Sequence, residues 1–262
     1  MEKAIAVETV SQLKNLSSKG FDRLYFGSEA CETKIPSVQE AKKAKQFCEK
    51  NKLAFSLVTP FCTDFGLNKV KEIFSILSKE DEVVCNDFGV LKEAGRHKPE
   101  AIVGRLLNKQ FRDPRIASFK GQAAEHLSLS QASMPQFRKL LSSLGVKRVE
   151  LDNLLQGIGT SLKDTGFSAS LYHPIVFVSA TRMCLLANAG KISGYKKVGV
   201  FGCGKECDRF KFKLGNKAMP KKLFLIGNGL FFENNSLPEE KELLAKGIDR
   251  TVNNKALWPE QN

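Results

Sequence analysis

Short apolar runs alternate with amphipathic stretches along the first two-thirds of the chain. An apolar run of about four to eight residues between turn signals is typical of a buried strand. Apolar residues at positions 70, 73, 74 and 77 instead follow helical spacing. The predicted strands are Lys3–Val7, Arg23–Gly27, Leu53–Val58, Glu82–Cys85, Ala101–Leu106, Val146–Leu151 and Phe167–Tyr172. The predicted helical segments are Val10–Leu16, Val38–Asn51, Val70–Leu77, Phe88–Ala94, a helix capped by Ser133 that ends at Leu144, and a turn at Leu154–Ile158.

Strand and helix alternate at least six times with short connections, which is typical of a parallel sheet built from βαβ units. The number of units is close to that of a (β/α)₈ barrel, and no linker divides the chain. We therefore predict an α/β TIM-type barrel, complete or incomplete, in a single domain covering residues 1–262. The alternation ends past residue 190, where Gly227-Asn228-Gly229 predicts a hairpin of Leu223–Ile226 with Leu230–Phe232. A helix at Pro238–Lys246 and a C-terminal tail of a dozen residues complete the prediction.

Functional residues of such barrels follow the carboxyl ends of the strands. Cys31 comes after the second predicted strand, and His173 comes directly after the strand that ends at Tyr172. Asp87 follows the fourth strand, although a helix cap is the other interpretation of this residue. These side chains are expected at one face of the barrel.

Three of the seven cysteines lie close together in sequence as Cys184 and the pair Cys203-x₃-Cys207. Cysteines clustered in this way favour a metal or iron–sulfur site, which needs about four ligands. The fourth ligand must come from elsewhere. Cys31 is a candidate because it lies in a polar loop after a strand, and Cys62 is a competitor on the same predicted face.

Other interpretations of the cysteines remain open. Cys48 lies inside an amphipathic helix and Cys85 ends an apolar strand, so both are predicted as core thiols. The C-x₃-C spacing also allows zinc, or two ordinary thiols beside a glycine turn.

The chain has a net charge of +13, which indicates attraction to an anionic partner or simply a soluble surface. Between positions 191 and 222, ten Lys or Arg residues stand against two acidic ones, interleaved with aromatic side chains. That mixture is typical of single-stranded RNA binding, and also of a hairpin beside a negatively charged cluster. No apolar stretch has the length of a membrane span, no signal peptide is visible, and a cytoplasmic protein is expected.

Two motifs surround the clustered cysteines: Tyr172-His173-Pro174 through Ser179-Ala-Thr-Arg-Met-Cys184, and Cys203-x₃-Cys207-Asp208-Arg209. Together they resemble the signature of the collagenase-like peptidase family, a peptidase U family. Asp22–Gly27, Asn86–Val90 and Gly145–Leu151 resemble further strands and turns of that family, so the resemblance covers most of residues 20–230. Residues 174–235 would form its cluster-binding segment and hairpin.

One departure from the family pattern points to a subgroup. Phe177 stands where the family has its first cysteine, four positions after the histidine. The small partner of the oxygen-independent ubiquinone hydroxylation pair lacks that cysteine too, and it is similar to this chain at Leu24–Cys31. The resemblance implies that Cys31, Cys184, Cys203 and Cys207 hold a 4Fe–4S cluster.

The resemblance also implies a function. It indicates a component of an oxygen-independent hydroxylation system, working as a heterodimer with a paralogous family member. RNA base hydroxylation, with RNA or an anionic small molecule as ligand, is the alternative, and peptidase activity is a third. His173, Arg182 and Glu150 are the candidates for proton transfer or anion binding, each with a structural role as the other interpretation. No Ser/His/Asp order or HExxH motif supports a peptidase.

Overall fold

The computed structural model describes residues 1–181, 183–188 and 202–257. Its strands are β1 (Glu2–Val7), β2 (Arg23–Gly27), β3 (Ala54–Val58), β4 (Glu82–Cys85), β5 (Glu100–Val103), β6 (Arg148–Asp152), β7 (Ser168–His173), β8 (Ile175–Ala180), β9 (Phe212–Leu214), β10 (Leu223–Ile226), β11 (Gly229–Glu233) and β12 (Ile248–Asn253). Its α-helices are α1 (Val10–Lys14), α2 (Val38–Asn51), α3 (Asp64–Phe74), α4 (Phe88–Ala94), α5 (Gly121–Leu127), α6 (Pro135–Ser143), α7 (Leu185–Asn188) and α8 (Glu240–Ala245). No helix within these ranges is long and apolar enough to cross a membrane.

Eight parallel strands close into a barrel in the order β1-β12-β7-β6-β5-β4-β3-β2. Helices interleave with the strands and bury their apolar faces against the outside of the barrel. The predicted α/β TIM-type barrel is therefore confirmed and complete. A second sheet, in the order β8-β11-β10-β9, is antiparallel and contains the predicted hairpin.

The predicted C-terminal tail is wrong at its start, and its last five residues, 258–262, lie outside the described residues. Ile248–Asn253 forms β12, which pairs with β1 on one side and β7 on the other and so closes the barrel. The sequence pattern did not predict this strand, because the polar residues Asp249 and Arg250 interrupt its apolar run. Arg250 points into the barrel, where Glu2 and Glu82 neutralise its charge at 2.6 and 2.8 Å.

Several helix boundaries differ from the sequence prediction. Helix α2 is as predicted, with the Ser37–Glu40 capping box in place. Helix α3 begins at Asp64, because the carboxylate of Glu32 accepts hydrogen bonds from Thr63 N–H and Oγ1 at 2.8 and 2.9 Å. Ser133 does not cap α6, which starts at Pro135 after Met134. At Leu154–Ile158, where a helical turn is predicted, the N–H of Gly157 donates to the carbonyl of Leu154 at 3.1 Å and closes a single turn.

Strand β8 was not expected, and it changes where the C-terminal segment lies. The chain leaves barrel strand β7, passes Pro174 and continues at once into β8, which pairs with β11. Asn228, in the turn between β10 and β11, donates hydrogen bonds from Nδ2 to the carbonyls of Ala30 and Thr181 at 2.5 and 2.8 Å. The second sheet is thereby fixed to the loop that follows β2, at the carboxyl end of the barrel.

Candidate functional site

A cavity of about 570 Å³ lies at the carboxyl end of the barrel and is lined by four cysteines. They are the four that the family resemblance implies: Cys31, Cys184, Cys203 and Cys207. The other walls come from the loops after β2 and β3, from the end of β8 and from the β10–β11 turn. Cys62, Cys48 and Cys85 are not among the residues that line the cavity.

Cys31 meets the C-x₃-C pair through Thr33. Thr33 Oγ1 lies 3.0 Å from the sulfur of Cys31 and 3.8 Å from the sulfur of Cys203. The distance between the sulfurs of Cys31 and Cys203 therefore cannot exceed the sum of these two distances. The loop after β2 and a segment far along the chain share one wall of the cavity.

Backbone N–H groups are directed at two of the cysteine sulfurs. Cys184 begins the turn into α7, and the N–H of Ala187 lies 3.5 Å from its sulfur. Lys205 has a φ of 57°, and this left-handed turn places its N–H 3.3 Å from the sulfur of Cys203. Such donors favour sulfur that carries negative charge, as a thiolate or a metal-bound thiolate does.

Cys207 is the most buried of the four cysteines. It packs over Gly227, where an added Cβ would lie 3.5 Å from the Cβ of Cys207. Burial raises the pKa of the Cys207 thiol, and the ammonium group of Lys34 acts in the opposite direction. Close packing thus fixes one sulfur while Cys203 stays exposed at the cavity rim.

The spacing of the cysteines bears on the kind of group that fits. Within the described parts of the chain, no three His, Cys, Asp or Glu side chains come close enough to hold one metal ion. Zinc bound to thiolates at about 2.3 Å requires sulfurs about 3.8 Å apart. Cys31, Cys184, Cys203 and Cys207 supply four sulfur donors to one cavity. Four thiolates are the donor set that a 4Fe–4S cluster uses.

The other three cysteines are buried. Cys48 and Cys85 are core thiols, as predicted, at 2 % and 0 % exposure. Cys62 is also buried; its thiol donates to the carbonyl of Pro60 at 3.4 Å. Burial raises the pKa of Cys62 to about 12, so it remains a thiol at neutral pH.

Phe177 packs in the core beside β11. Its ring contacts that of Phe231 with centroids 5.7 Å apart, and its N–H donates to Asp152 Oδ1 at 3.0 Å. It does not line the cysteine cavity. An aromatic core residue therefore occupies the position at which the family pattern has a cysteine.

His173 and Asp87, which were expected at the functional face of the barrel, do not line the cysteine cavity. His173 ends β7 and does not line the cavity, and burial lowers its pKa. Asp87 caps α4, accepting from the N–H of Gly89 at 2.7 Å, as the capping interpretation predicts. Arg182 lies outside the described residues.

Glu150 is fully buried inside the barrel. Its carboxylate oxygens and the hydroxyl of Tyr172 make no hydrogen bond of standard geometry within the described structure. Burial raises the pKa of Glu150 to about 8, and the nearby phenols of Tyr172 and Tyr25 offset this only in part. Glu150 therefore holds a proton at neutral pH.

Sequence reasoning missed a buried ion network at the mouth of the barrel. Arg105 is completely buried and pairs with Glu29 on one side and Asp152 on the other. Asp152 also pairs with Arg112, while Arg105 Nη1 donates to the carbonyl of Ile175 at 3.0 Å. An arginine in an otherwise apolar run was the available signal, since such a charge must find buried partners.

A smaller cavity of about 50 Å³ lies between this network and the cysteines. Glu29, Arg105 and Lys34 line it, and it shares Cys31 and Cys207 with the larger cavity. A water molecule needs about 10–15 Å³ of such volume, so the space admits a few waters or a small molecule. The lining of this cavity thus combines charged side chains with two of the four cysteines.

No family model matches the chain, and no curated protein matches it. Among solved structures, that of the U32 peptidase Mk0906 aligns with a TM-score of 0.45 and 10 % sequence identity, over 100 % of this chain and 94 % of that one.

Proposed function

We propose that this protein is an iron–sulfur protein of the collagenase-like peptidase family, with Cys31, Cys184, Cys203 and Cys207 as the ligands of a 4Fe–4S cluster. One observation carries the proposal: all four cysteines line a single cavity at the carboxyl end of the barrel. Three of them come from the C-terminal segment, and the fourth from the loop after β2. Such a cluster supplies electron transfer when bound.

The protein's own residues restrict what the site does. Four cysteine ligands leave no thiolate free to act as a nucleophile, which argues against a peptidase. Backbone N–H groups at the sulfurs of Cys184 and Cys203 favour bound thiolate. We therefore propose a role as a component of an oxygen-independent hydroxylation system, such as that of ubiquinone biosynthesis, with a paralogous partner holding the remaining machinery.

The test is anaerobic reconstitution of the full chain with iron and sulfide. We expect about four iron and four sulfide per chain, a brown chromophore, and an EPR signal after reduction with dithionite. A cluster that resists reduction would indicate a structural role. One zinc per chain without sulfide, or no bound metal, would contradict the cluster.

A second candidate function, RNA binding, is favoured by the surface around β9. Phe210, Phe212 and Leu214 are 42–54 % exposed on this strand and just before it. Seven exposed cations lie close to them in sequence, at positions 205, 209, 211, 213, 217, 221 and 222. Exposed aromatics among cations suit the bases and phosphates of a single strand.

This candidate predicts salt-dependent binding of a single-stranded oligonucleotide. The logarithm of the association constant should fall with the logarithm of salt concentration, by about 0.7 for each phosphate contacted. Changing Lys211 and Lys213 to Glu should weaken binding, measured by fluorescence anisotropy, whereas changing the exposed control pair Lys79 and Lys98 to Glu, with the same change in net charge, should not. Equal losses in both proteins would show that only net charge matters.

A further inference from the structure

Lys34 connects the barrel mouth to the segment that carries Cys207. Its ammonium lies 3.0 Å from Glu8 Oε2 and 3.5 Å from Asp208 Oδ1. Glu8 follows β1, Lys34 ends the 3₁₀ turn after Cys31, and Asp208 is next to Cys207 in sequence. One cation therefore links the loops after two barrel strands to the C-terminal segment.

The Glu8 half of the bridge is held more firmly than an ordinary surface ion pair, whereas the Asp208 side chain at the other end is 54 % exposed. Only 17 % of the Lys34 side chain is exposed. The second oxygen of Glu8 accepts a hydrogen bond from the buried hydroxyl of Ser28 at 2.9 Å, which fixes the carboxylate that Lys34 contacts. A partly buried, hydrogen-bonded pair of this kind is less screened by solvent than an exposed one.

Lys34 also brings positive charge close to the cysteines. It lines the smaller cavity together with Cys31 and Cys207. Lys211 is a second cation near Cys207, but it is exposed and lies in the C-terminal segment itself. Of these two cations, Lys34 is the one that links this segment to the barrel.

We propose that Lys34 is a positioning residue, which fixes Asp208 and hence Cys207 against the barrel mouth and supplies permanent positive charge beside the cysteine cavity. The first part rests on the contacts alone. The second part rests on the proposed function, because one-electron reduction adds negative charge to the site. A nearby fixed cation favours the reduced form.

The first experiment uses the metal-free full chain. In Lys34→Gln, the amides of Asp208 and Phe210, which donate to the carbonyls of Lys205 and Glu206, should exchange hydrogen about tenfold faster than in the wild type. Lys34→Arg should restore slow exchange, and Lys211→Gln should match the wild type. Unchanged exchange in Lys34→Gln would overturn the positioning role, whether or not the protein takes up a cluster.

The second experiment uses the reconstituted protein in a dithionite titration followed by EPR. Lys34→Gln should lower the midpoint potential, by about 59 mV for a tenfold loss in stabilisation of the reduced form. Lys34→Arg should recover it, and the exposed control Lys211→Gln should shift it less. Equal shifts for the two glutamine variants would overturn the special role of Lys34, whereas failure of the wild type to take up a cluster would count against the proposed function instead.

Discussion

Replacing Cys31 with alanine should remove the iron–sulfur chromophore as completely as replacing Cys184. The reason is geometric, since Cys31 lines the same cavity as the three C-terminal cysteines and meets Cys203 through Thr33. Bound iron should fall from about four atoms per chain to less than about one. Iron and sulfide analysis and the visible absorbance of anaerobically reconstituted protein measure the effect.

Cys62→Ala is the matched control for this experiment. Cys62 follows a neighbouring barrel strand, but its buried thiol lies outside the lining of the cavity. The variant should keep both its colour and its iron. A colourless Cys62→Ala protein beside a brown Cys31→Ala protein would show that the ligand assignment is wrong.

Glu150→Gln should make the protein more stable above neutral pH and remove much of its pH dependence. Burial raises the pKa of Glu150 to about 8 from an ordinary value of 4.5. The unfolded chain therefore releases this proton above about pH 4.5, while the folded protein keeps it until about pH 8. Stability should fall across that interval and then level off, by about 5 kcal/mol in total.

Chemical denaturation at a series of pH values measures this effect. Glutamine has nearly the same shape as protonated glutamate and does not titrate, so the variant should show a flatter profile. Glu100→Gln, at the exposed start of β5, removes a carboxylate without burial and should leave the profile unchanged. Parallel profiles for the wild type and Glu150→Gln would refute a buried, protonated carboxyl.

Most strands and helices of the barrel were predictable from the sequence. Strands such as Arg23–Gly27 and Glu82–Cys85 are buried on both faces, so they appear as continuous apolar runs with clear ends. Helix α2 has its own capping box, and both of its ends were predicted correctly. These elements are determined by local spacing and capping, which need no knowledge of distant residues.

Elements whose polar residues face the barrel interior were harder to predict. Arg250 interrupted the apolar pattern of the eighth barrel strand, because a charged residue is normally taken as exposed. Arg105 was predicted to lie in an apolar strand, but its buried acidic partners were not predicted. Each is buried only because acidic residues from distant parts of the barrel neutralise it, on other strands and in the loop after β2. Such pairing across the barrel leaves no periodic pattern in the chain.

For the candidate site, the sequence by itself determined the parallel barrel, the hairpin and the C-x₃-C pair, and its resemblance to a known family singled out Cys31 as the fourth cysteine. Only the tertiary structure decided that these four cysteines line one cavity, that Cys62 faces elsewhere, and that Lys34 joins the two parts of the site. The physical reason is that spacing along a chain specifies helices, strands and turns, whereas the meeting of distant loops depends on how the closed barrel and its second sheet pack together.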